Sequence, residues 1–311
     1  MNPFFFILSF SRSGSTLLAK LLNNHGDIKV LNESWVFPAV SILGWETLNY
    51  NQQRYILHIY NKSLNVYENY SPITHEVCQR ARIPFLSFYK NLLSHNVALY
   101  GEKNPVNILH FPYLKRNFKD AKFIFLTRNP IAIANSYRNR WFKNMNQKDY
   151  LYRVASVIRN YYFSYKKYFN NNKMFTVRYE DLVRNPKDTL NQLCIHLEIN
   201  YDASMLDNVD EFIFNTGTLK NHKDLSKDIH IDNIDKYKDQ LSDMQIKDLS
   251  YLLRDVIDSF GYSRLSHKPS QLLLNIERRV SKRLQYNQSF VNLYLMKIKY
   301  YLFYLKYTIS R

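Results

Sequence analysis

A run of small and hydroxyl-bearing residues follows the first apolar segment of the chain. Phe4–Ser9 is typical of a buried strand, and Ser11-Arg12-Ser13-Gly14-Ser15-Thr16 comes soon after it, where a helix is predicted to begin near Ser15. Such a turn points several backbone N–H groups at one spot beside a helix N-terminus, a geometry that binds phosphate or sulfate. The full Gly-x-x-x-x-Gly-Lys-Ser/Thr pattern of nucleotide triphosphatases is missing, because Arg12 precedes Gly14 and no lysine follows it. The turn therefore predicts an anion site rather than an ATPase.

Two further segments place functional side chains at the ends of apolar runs. Arg128 follows Phe123–Thr127, and Ser136 lies eight residues after it, two turns into a helix that begins with a proline. An arginine and a hydroxyl so placed can converge on one phosphate, although an exposed ion pair is the alternative role for such an arginine. Tyr179 follows another apolar run, Met174–Val177. We expect all of these side chains at the carboxyl edge of a parallel sheet, where α/β proteins bind ligands.

Recurring strand–loop–helix units predict an α/β protein, a three-layer sandwich with a central parallel sheet. Ile28–Leu31 is predicted as a short second strand, and residues 35 to 100 as mostly helical. Tyr100–Pro105 is predicted as a turn, because a proline disfavours helical backbone in its predecessor. Asn215–Asp235 is predicted as a mobile loop.

In their order and spacing, the three polar segments resemble the sulfotransferases that use 3′-phosphoadenosine-5′-phosphosulfate (PAPS) as donor. The resemblance covers about residues 4 to 200 and continues more weakly to about 262. It implies a P-loop-like fold, with PAPS as co-substrate. It also implies that the Ser11–Thr16 turn holds the 5′-phosphosulfate through backbone N–H groups and the hydroxyls of Ser15 and Thr16. Arg12 would then sit beside the bridging oxygen.

The same resemblance assigns the rest of the nucleotide site. Arg128 and Ser136 match the pair that binds the 3′-phosphate, and Tyr179 matches a position that contacts adenine, with a core tyrosine as its alternative. The family's late glycine-rich loop is poorly matched; Thr216–Asn221 is the nearest candidate, so the residues of 215–235 that complete the 3′-phosphate site are left open.

Two shorter signals concern the acceptor side. Glu33, in Asn-Glu-Ser-Trp, resembles a catalytic glutamate that takes the acceptor proton; a carboxylate at a helix start is the alternative. Lys103 resembles a lysine that neutralises charge on the transferring group, as in phosphoryl transfer. His75, His95 and His110 lie in no recognisable motif, so Glu33 is preferred as the base. No metal is expected, because a sulfuryl group carries less charge than a phosphoryl group.

The formal charge of +17 is concentrated in the C-terminal tail, where residues 264–311 hold ten Lys or Arg and one acid. We predict a sulfotransferase domain at 1–262 and a basic, aromatic-rich helical extension at 263–311. Within the extension, 286–311 is predicted either to contact a membrane interface peripherally, or to dock on the core or form a homodimer contact. Nucleic acid is not expected as a partner.

The location of the protein is predicted from its cysteines and its apolar segments. The two cysteines, Cys78 and Cys194, are too few for a disulfide framework or a zinc site, which favours a reducing compartment. No secretory signal or apolar stretch of membrane-spanning length is apparent. We expect a cytoplasmic protein, with the inner face of the membrane as the site of any peripheral contact.

These features predict transfer of a sulfuryl group from PAPS to a hydroxyl or amine of a carbohydrate or glycolipid acceptor. A protein tyrosine is the less favoured acceptor. A P-loop-type kinase and a non-enzymatic basic protein that binds membranes or nucleic acid are the alternative functions.

Overall fold

The computed structural model describes residues 4–33, 97–169, 174–207, 231–266 and 268–287. In this part of the chain, five parallel strands form one sheet in the order β2-β3-β1-β4-β5. The strands are β1 (Phe4–Ser9), β2 (Ile28–Asn32), β3 (Leu99–Lys103), β4 (Lys122–Thr127) and β5 (Met174–Arg178).

Helices follow the strands and cover both faces of the sheet. They are α1 (Ser15–Asn23), α2 (Phe111–Asn117), α3 (Pro130–Trp141), α4 (Gln147–Tyr168), α5 (Tyr179–Arg184), α6 (Pro186–Leu197), α7 (Lys236–Gln240), α8 (Asp243–Leu252), α9 (Arg254–Ser259) and α10 (Gln271–Asn287). Short 3₁₀ helices lie at Pro105–His110, Ala203–Leu206 and Ile231–Asn233.

The two faces of the sheet bury different side chains, because successive residues of a strand point in opposite directions. In β1, Phe4, Phe6 and Leu8 pack into a core with α2, α3, α4 and α8 to α10, while Phe5 and Ile7 pack against α1 and α6. Both faces are therefore apolar, which explains the uninterrupted apolar runs of β1 and β4. The predicted three-layer α/β sandwich is confirmed.

The predicted turn at Tyr100–Pro105 is wrong over most of its length. Leu99–Lys103 is strand β3, which lies between β1 and β2, and residues 97 and 98 are not helical, so the helix predicted for 35 to 100 is also wrong at its last four residues. Gly101 is required there because a Cβ atom would lie 2.4 Å from the ring of Phe5, its register partner in β1. The polar sequence of β3 is compatible with a buried strand because partners for Lys103 come from distant segments. The rest of the helical prediction, residues 35–96, lies outside the described residues.

Helix α10 packs against α4 and contributes Leu273, Ile276, Val280 and Leu284 to the larger core. Its Glu277 accepts a hydrogen bond from the buried Arg159 of α4 at 2.7 Å. The apolar face of this helix is thus buried in the domain. The tail from 288 onward and loop residues 208–230 lie outside the described residues, and in the part that is described no helix is long and apolar enough to cross a membrane.

Candidate active site

The loop between β1 and α1 is shaped as an open anion site. The hydroxyl and N–H of Ser13 both donate to the carbonyl of Phe10, at 2.7 and 3.3 Å, so Ser13 fixes the turn. Gly14 caps α1 in the left-handed region, with φ of 94°. The first N–H groups of a helix have no partner within it, so those of Ser15 and Thr16 are oriented for an external anion.

Tyr179 packs directly against this loop. A Cβ atom on Gly14 would lie 2.4 Å from the Tyr179 ring, which explains why a glycine is required there in addition to the backbone angle. The guanidinium of Arg128 lies over the same ring, 4.3 Å from its centre. The structure thus brings Tyr179 and Arg128 together beside the Ser11–Thr16 loop (the phosphate loop). Contact of Tyr179 with adenine stays a prediction.

Arg12, Arg128 and Ser136 form one cluster, but with a different pairing from the one predicted. Arg12 Nε donates to Ser136 Oγ at 3.1 Å, and Arg128 donates to the carbonyls of Arg12, at 3.5 Å, and Asn233. The buried Nε of Arg128 has no hydrogen-bond partner within the described residues. Arg12 is therefore linked to both members of the predicted pair, to Ser136 through its side chain and to Arg128 through its backbone carbonyl.

The surroundings of the two arginines are electropositive. Burial lowers the pKa of Arg12, and the nearby charges of Arg140 and Arg128 lower it further. Burial also lowers the pKa of Arg128, opposed by Tyr179 and Glu180. Arginine keeps its charge despite such shifts, so an arriving anion relieves repulsion between these cations.

Lys103 and Glu33 form an ion pair at the ends of β3 and β2. Lys103 Nζ donates to Glu33 Oε1 at 2.7 Å and to Thr16 Oγ1 at 3.3 Å. The lysine side chain is only 1% exposed and the glutamate 29%, so only the glutamate is open to an entering molecule. The ammonium group links the carboxylate to the phosphate loop, while the roles of Glu33 as base and Lys103 as charge-stabilising group stay predictions.

Arg12 and Glu33 share an uncommon backbone conformation. Their φ angles are 70° and 53°, in the left-handed region that residues other than glycine rarely occupy. The Glu33 N–H donates to the Lys103 carbonyl at 2.6 Å, which holds that conformation in place. Because such strain persists only where the surroundings impose it, and clusters at functional sites, both angles support a functional role.

Two tyrosines were missed by the sequence analysis. The Tyr161 hydroxyl of α4 lies 3.3 Å from Ser11 Oγ, and the buried Tyr137 of α3 lies near Tyr161 and Arg12. Burial raises the pKa of Tyr161, and the negative charge of Glu33 raises it further. Both phenols therefore stay protonated beneath the loop. Nothing in the sequence marks them, because tyrosine is abundant in this chain and both residues lie in ordinary amphipathic helices.

Each of the five strands has one polar residue of the candidate site at its carboxyl end, so these residues lie along the same edge of the sheet. The residues are Arg12 after β1, Glu33 after β2, Lys103 in β3, Arg128 after β4 and Tyr179 after β5. The edge combines a helix N-terminus, two arginines and a lysine with one accessible carboxylate. Within the described ranges, no group of three or more His, Cys, Asp or Glu side chains is placed to hold a metal ion. The arrangement can bind two anionic groups and accept a proton between them.

Comparisons with known protein families and proteins show what this chain is similar to. A family model described as "Sulfotransferase family" matches residues 3–203. The chain is 24% identical over 217 residues to a putative protein-tyrosine sulfotransferase of Caenorhabditis briggsae, covering 65% of this chain and 67% of the relative. It is 23% identical over 301 residues to protein-tyrosine sulfotransferase 1 of Danio rerio, covering 90% of this chain and 79% of that protein.

Solved structures show the same fold. The sulfotransferase domain of the Synechococcus PCC 7002 olefin synthase matches with a TM-score of 0.61 and 24% identity, covering 85% of this chain and 96% of that one. The predicted P-loop-like architecture is therefore confirmed.

Proposed function

Because this chain belongs to the sulfotransferase family, we propose that it transfers the sulfuryl group of PAPS to a hydroxyl of a carbohydrate or glycolipid acceptor. The phosphate loop binds the 5′-phosphosulfate through the first N–H groups of α1. The 3′-phosphate binds beside Arg128 and Ser136. No metal takes part in the proposed reaction.

The transfer is an in-line displacement at sulfur. The acceptor oxygen forms a bond to sulfur while the bond from sulfur to the bridging oxygen breaks, and adenosine 3′,5′-bisphosphate (PAP) leaves with the electron pair. Glu33 takes the proton of the acceptor hydroxyl. Lys103 and Arg12 stabilise negative charge on the sulfuryl and bridging oxygens.

One observation carries this proposal: the Lys103 ammonium group contacts both Glu33 Oε1 and Thr16 Oγ1. The ammonium group therefore connects the proposed base, Glu33, to the phosphate loop, although the three residues come from separate segments of the chain. A binding protein has no need for a carboxylate at the edge of an anion site, where it weakens anion affinity. A base beside a charge-stabilising cation is what group transfer requires.

The acceptor class is proposed on chemical grounds. A sugar hydroxyl is far less acidic than a phenol, whose pKa is about 10, so its reaction depends more strongly on a positioned base. Glu33 is held in place by its ion pair and by its own N–H. A protein tyrosine is the second candidate, favoured by the names of the two relatives, one of which aligns over 90% of this chain.

The donor and the acceptor are tested separately. Calorimetry should show tighter binding of PAP than of ATP; the reverse order would favour a kinase, and no nucleotide binding would favour a non-enzymatic protein. Labelled sulfate from PAPS is then offered to neutral oligosaccharides and a glycolipid extract, and in parallel to tyrosine-containing acidic peptides. Label in the carbohydrate supports the proposed acceptor, and label confined to the peptides overturns it.

A further inference from the structure

Glu180 is a buried carboxylate at the start of α5, directly after Tyr179. Its Oε1 accepts a hydrogen bond from the backbone N–H of Asn129 at 2.9 Å. Its Oε2 accepts one from the hydroxyl of Tyr262 at 2.7 Å. Both oxygens are thus engaged by donors from elsewhere in the chain, and such bonds to an ionised group are stronger than neutral ones.

The two donors come from segments that matter to the nucleotide site. Asn129 follows Arg128 and caps the N-terminus of α3, where its Oδ1 accepts a hydrogen bond from the N–H of Ile131 at 2.9 Å. Glu180 therefore fixes the backbone between Arg128 and the helix that carries Ser136. Because Glu180 also adjoins Tyr179, one carboxylate holds the two strand ends that present Arg128 and Tyr179.

Tyr262, the second donor to Glu180, is distant from it in the sequence. It follows α9, 82 residues after Glu180, and its ring lies beneath the guanidinium of Arg178, 4.4 Å from the ring centre. Burial raises the pKa of Tyr262, and the charge of Glu180 raises it further, so its O–H remains a donor at all ordinary pH values.

Glu180 affects Arg128 through its charge as well as through the backbone. Its negative charge opposes the effect of burial on Arg128 and helps to keep that guanidinium ionised. No contact of Glu180 with the nucleotide is needed for either effect.

We propose that Glu180 and Tyr262 are positioning residues of the donor site, which hold Arg128, stacked on Tyr179, in the arrangement that recognises the 3′-phosphate of the nucleotide. This inference rests on the proposed function, because it names the donor as PAPS. It assigns a role in substrate recognition to the segment after α9, remote in sequence from the polar motifs.

The test compares nucleotides with and without the 3′-phosphate. Affinities for PAP and for AMP are measured by calorimetry on the full chain and on the Tyr262→Phe and Glu180→Gln variants. We expect each variant to lose about tenfold in PAP affinity, the effect of one weakened hydrogen bond to a charged group, and less than about twofold in AMP affinity. With PAPS as substrate, KM should rise while kcat stays within about twofold, since the transfer groups are untouched.

Tyr162→Phe is the matched control. Tyr162 is a buried tyrosine whose hydroxyl bonds Ser259, and its ring packs in the same core. We expect it to leave the ratio of PAP to AMP affinity unchanged. If Tyr262→Phe and Glu180→Gln also leave that ratio unchanged, the inference is wrong. This includes the case in which both affinities fall by the same factor, as a general loss of structure would cause. A wild-type chain with no preference for PAP over AMP would overturn the proposed donor as well.

Discussion

Lys103 Nζ lies 2.7 Å from Glu33 Oε1, although the two residues are 70 positions apart in the chain. They meet because β2 and β3 are neighbours and Asn32 is the register partner of Lys103. The pair is asymmetric, since the lysine is fully enclosed and the carboxylate reaches the surface. This asymmetry predicts different consequences for removing each partner.

Glu33→Gln should destabilise the fold more than Lys103→Met. The first variant leaves a buried ammonium without its counter-charge, which we expect to cost about 2–3 kcal/mol, less than a pair buried on both sides. The second removes the charge at nearly constant volume and should cost less than about 1.5 kcal/mol. Urea unfolding followed by circular dichroism measures both, and equal losses or the reverse order would contradict the asymmetry.

Gly14→Ala should sharply weaken nucleotide binding. Its φ of 94° disfavours any side chain, and the added methyl group would collide with the Tyr179 ring. Displacing that ring disturbs Arg128, which stacks on it, so we expect PAP affinity to fall at least about tenfold, the equivalent of about 1.4 kcal/mol.

Gly26→Ala is the control for this substitution, since nothing lies within 4 Å of the added atom. Calorimetry with PAP should show wild-type affinity for Gly26→Ala. Retained affinity in Gly14→Ala would show that the contact with Tyr179 has no role in binding.

Ser11 and Tyr161 should act as a coupled pair in catalysis. Their hydrogen bond holds the residue before Arg12, so Tyr161→Phe and Ser11→Ala should each lower kcat by about three- to tenfold, the worth of one hydrogen bond. The double variant should be no worse than the poorer single one, because both remove the same contact.

Tyr165→Phe serves as the control, because this tyrosine lies one turn further along α4 and its hydroxyl faces Thr176. It should keep wild-type kcat. If the losses of kcat in Ser11→Ala and Tyr161→Phe add fully in the double variant, the contact between the two residues does not position the loop.

His110 should make the fold less stable in acid. Burial lowers the pKa of His110 from its ordinary 6.5 to about 4. The unfolded chain therefore binds the extra proton first, and the free energy of unfolding falls as the pH drops from about 6.5 to 4. His110→Gln should reduce this pH dependence when unfolding by urea is compared at pH 7.5 and pH 4.5.

Part of the acid sensitivity should remain in His110→Gln, because burial and Lys122 lower the pKa of His196 in the same direction. An unchanged pH dependence would show that His110 does not stay neutral in the folded protein.

Local patterns predicted much of the fold because most of its strands are apolar on both faces. Strands β1, β4 and β5 and the proline at the start of α3 follow directly from such patterns. Strand β3 was missed because Gly101, Glu102 and Lys103 resemble a polar turn. Their suitability for a buried strand depends on Phe5 and Glu33, which local sequence does not place nearby.

The sequence likewise predicts only part of the candidate site. The loop at Ser11–Thr16 and the arginine at 128 are local signals after strands, so the resemblance could find them. The contact between Arg12 and Ser136 and the hydrogen bonds of Tyr161 and Tyr262 join segments more than 80 residues apart. Such contacts depend on helix packing, which a single sequence does not encode in any short motif.

The most direct measurement is transfer of labelled sulfate from PAPS by the wild-type chain, by Lys103→Met and by Lys122→Met. Lys122, at the start of β4 in the same sheet, pairs with Glu198 at the end of α6, away from the loop, and serves as the matched control. We predict that Lys103→Met lowers kcat by about 10²–10³-fold, the worth of one charge-stabilising group, while it still binds PAP and stays folded. Lys122→Met should keep wild-type activity. Full transfer by folded Lys103→Met, or none by the wild type that binds PAP, would contradict the assignment of this site as a sulfuryl-transfer centre.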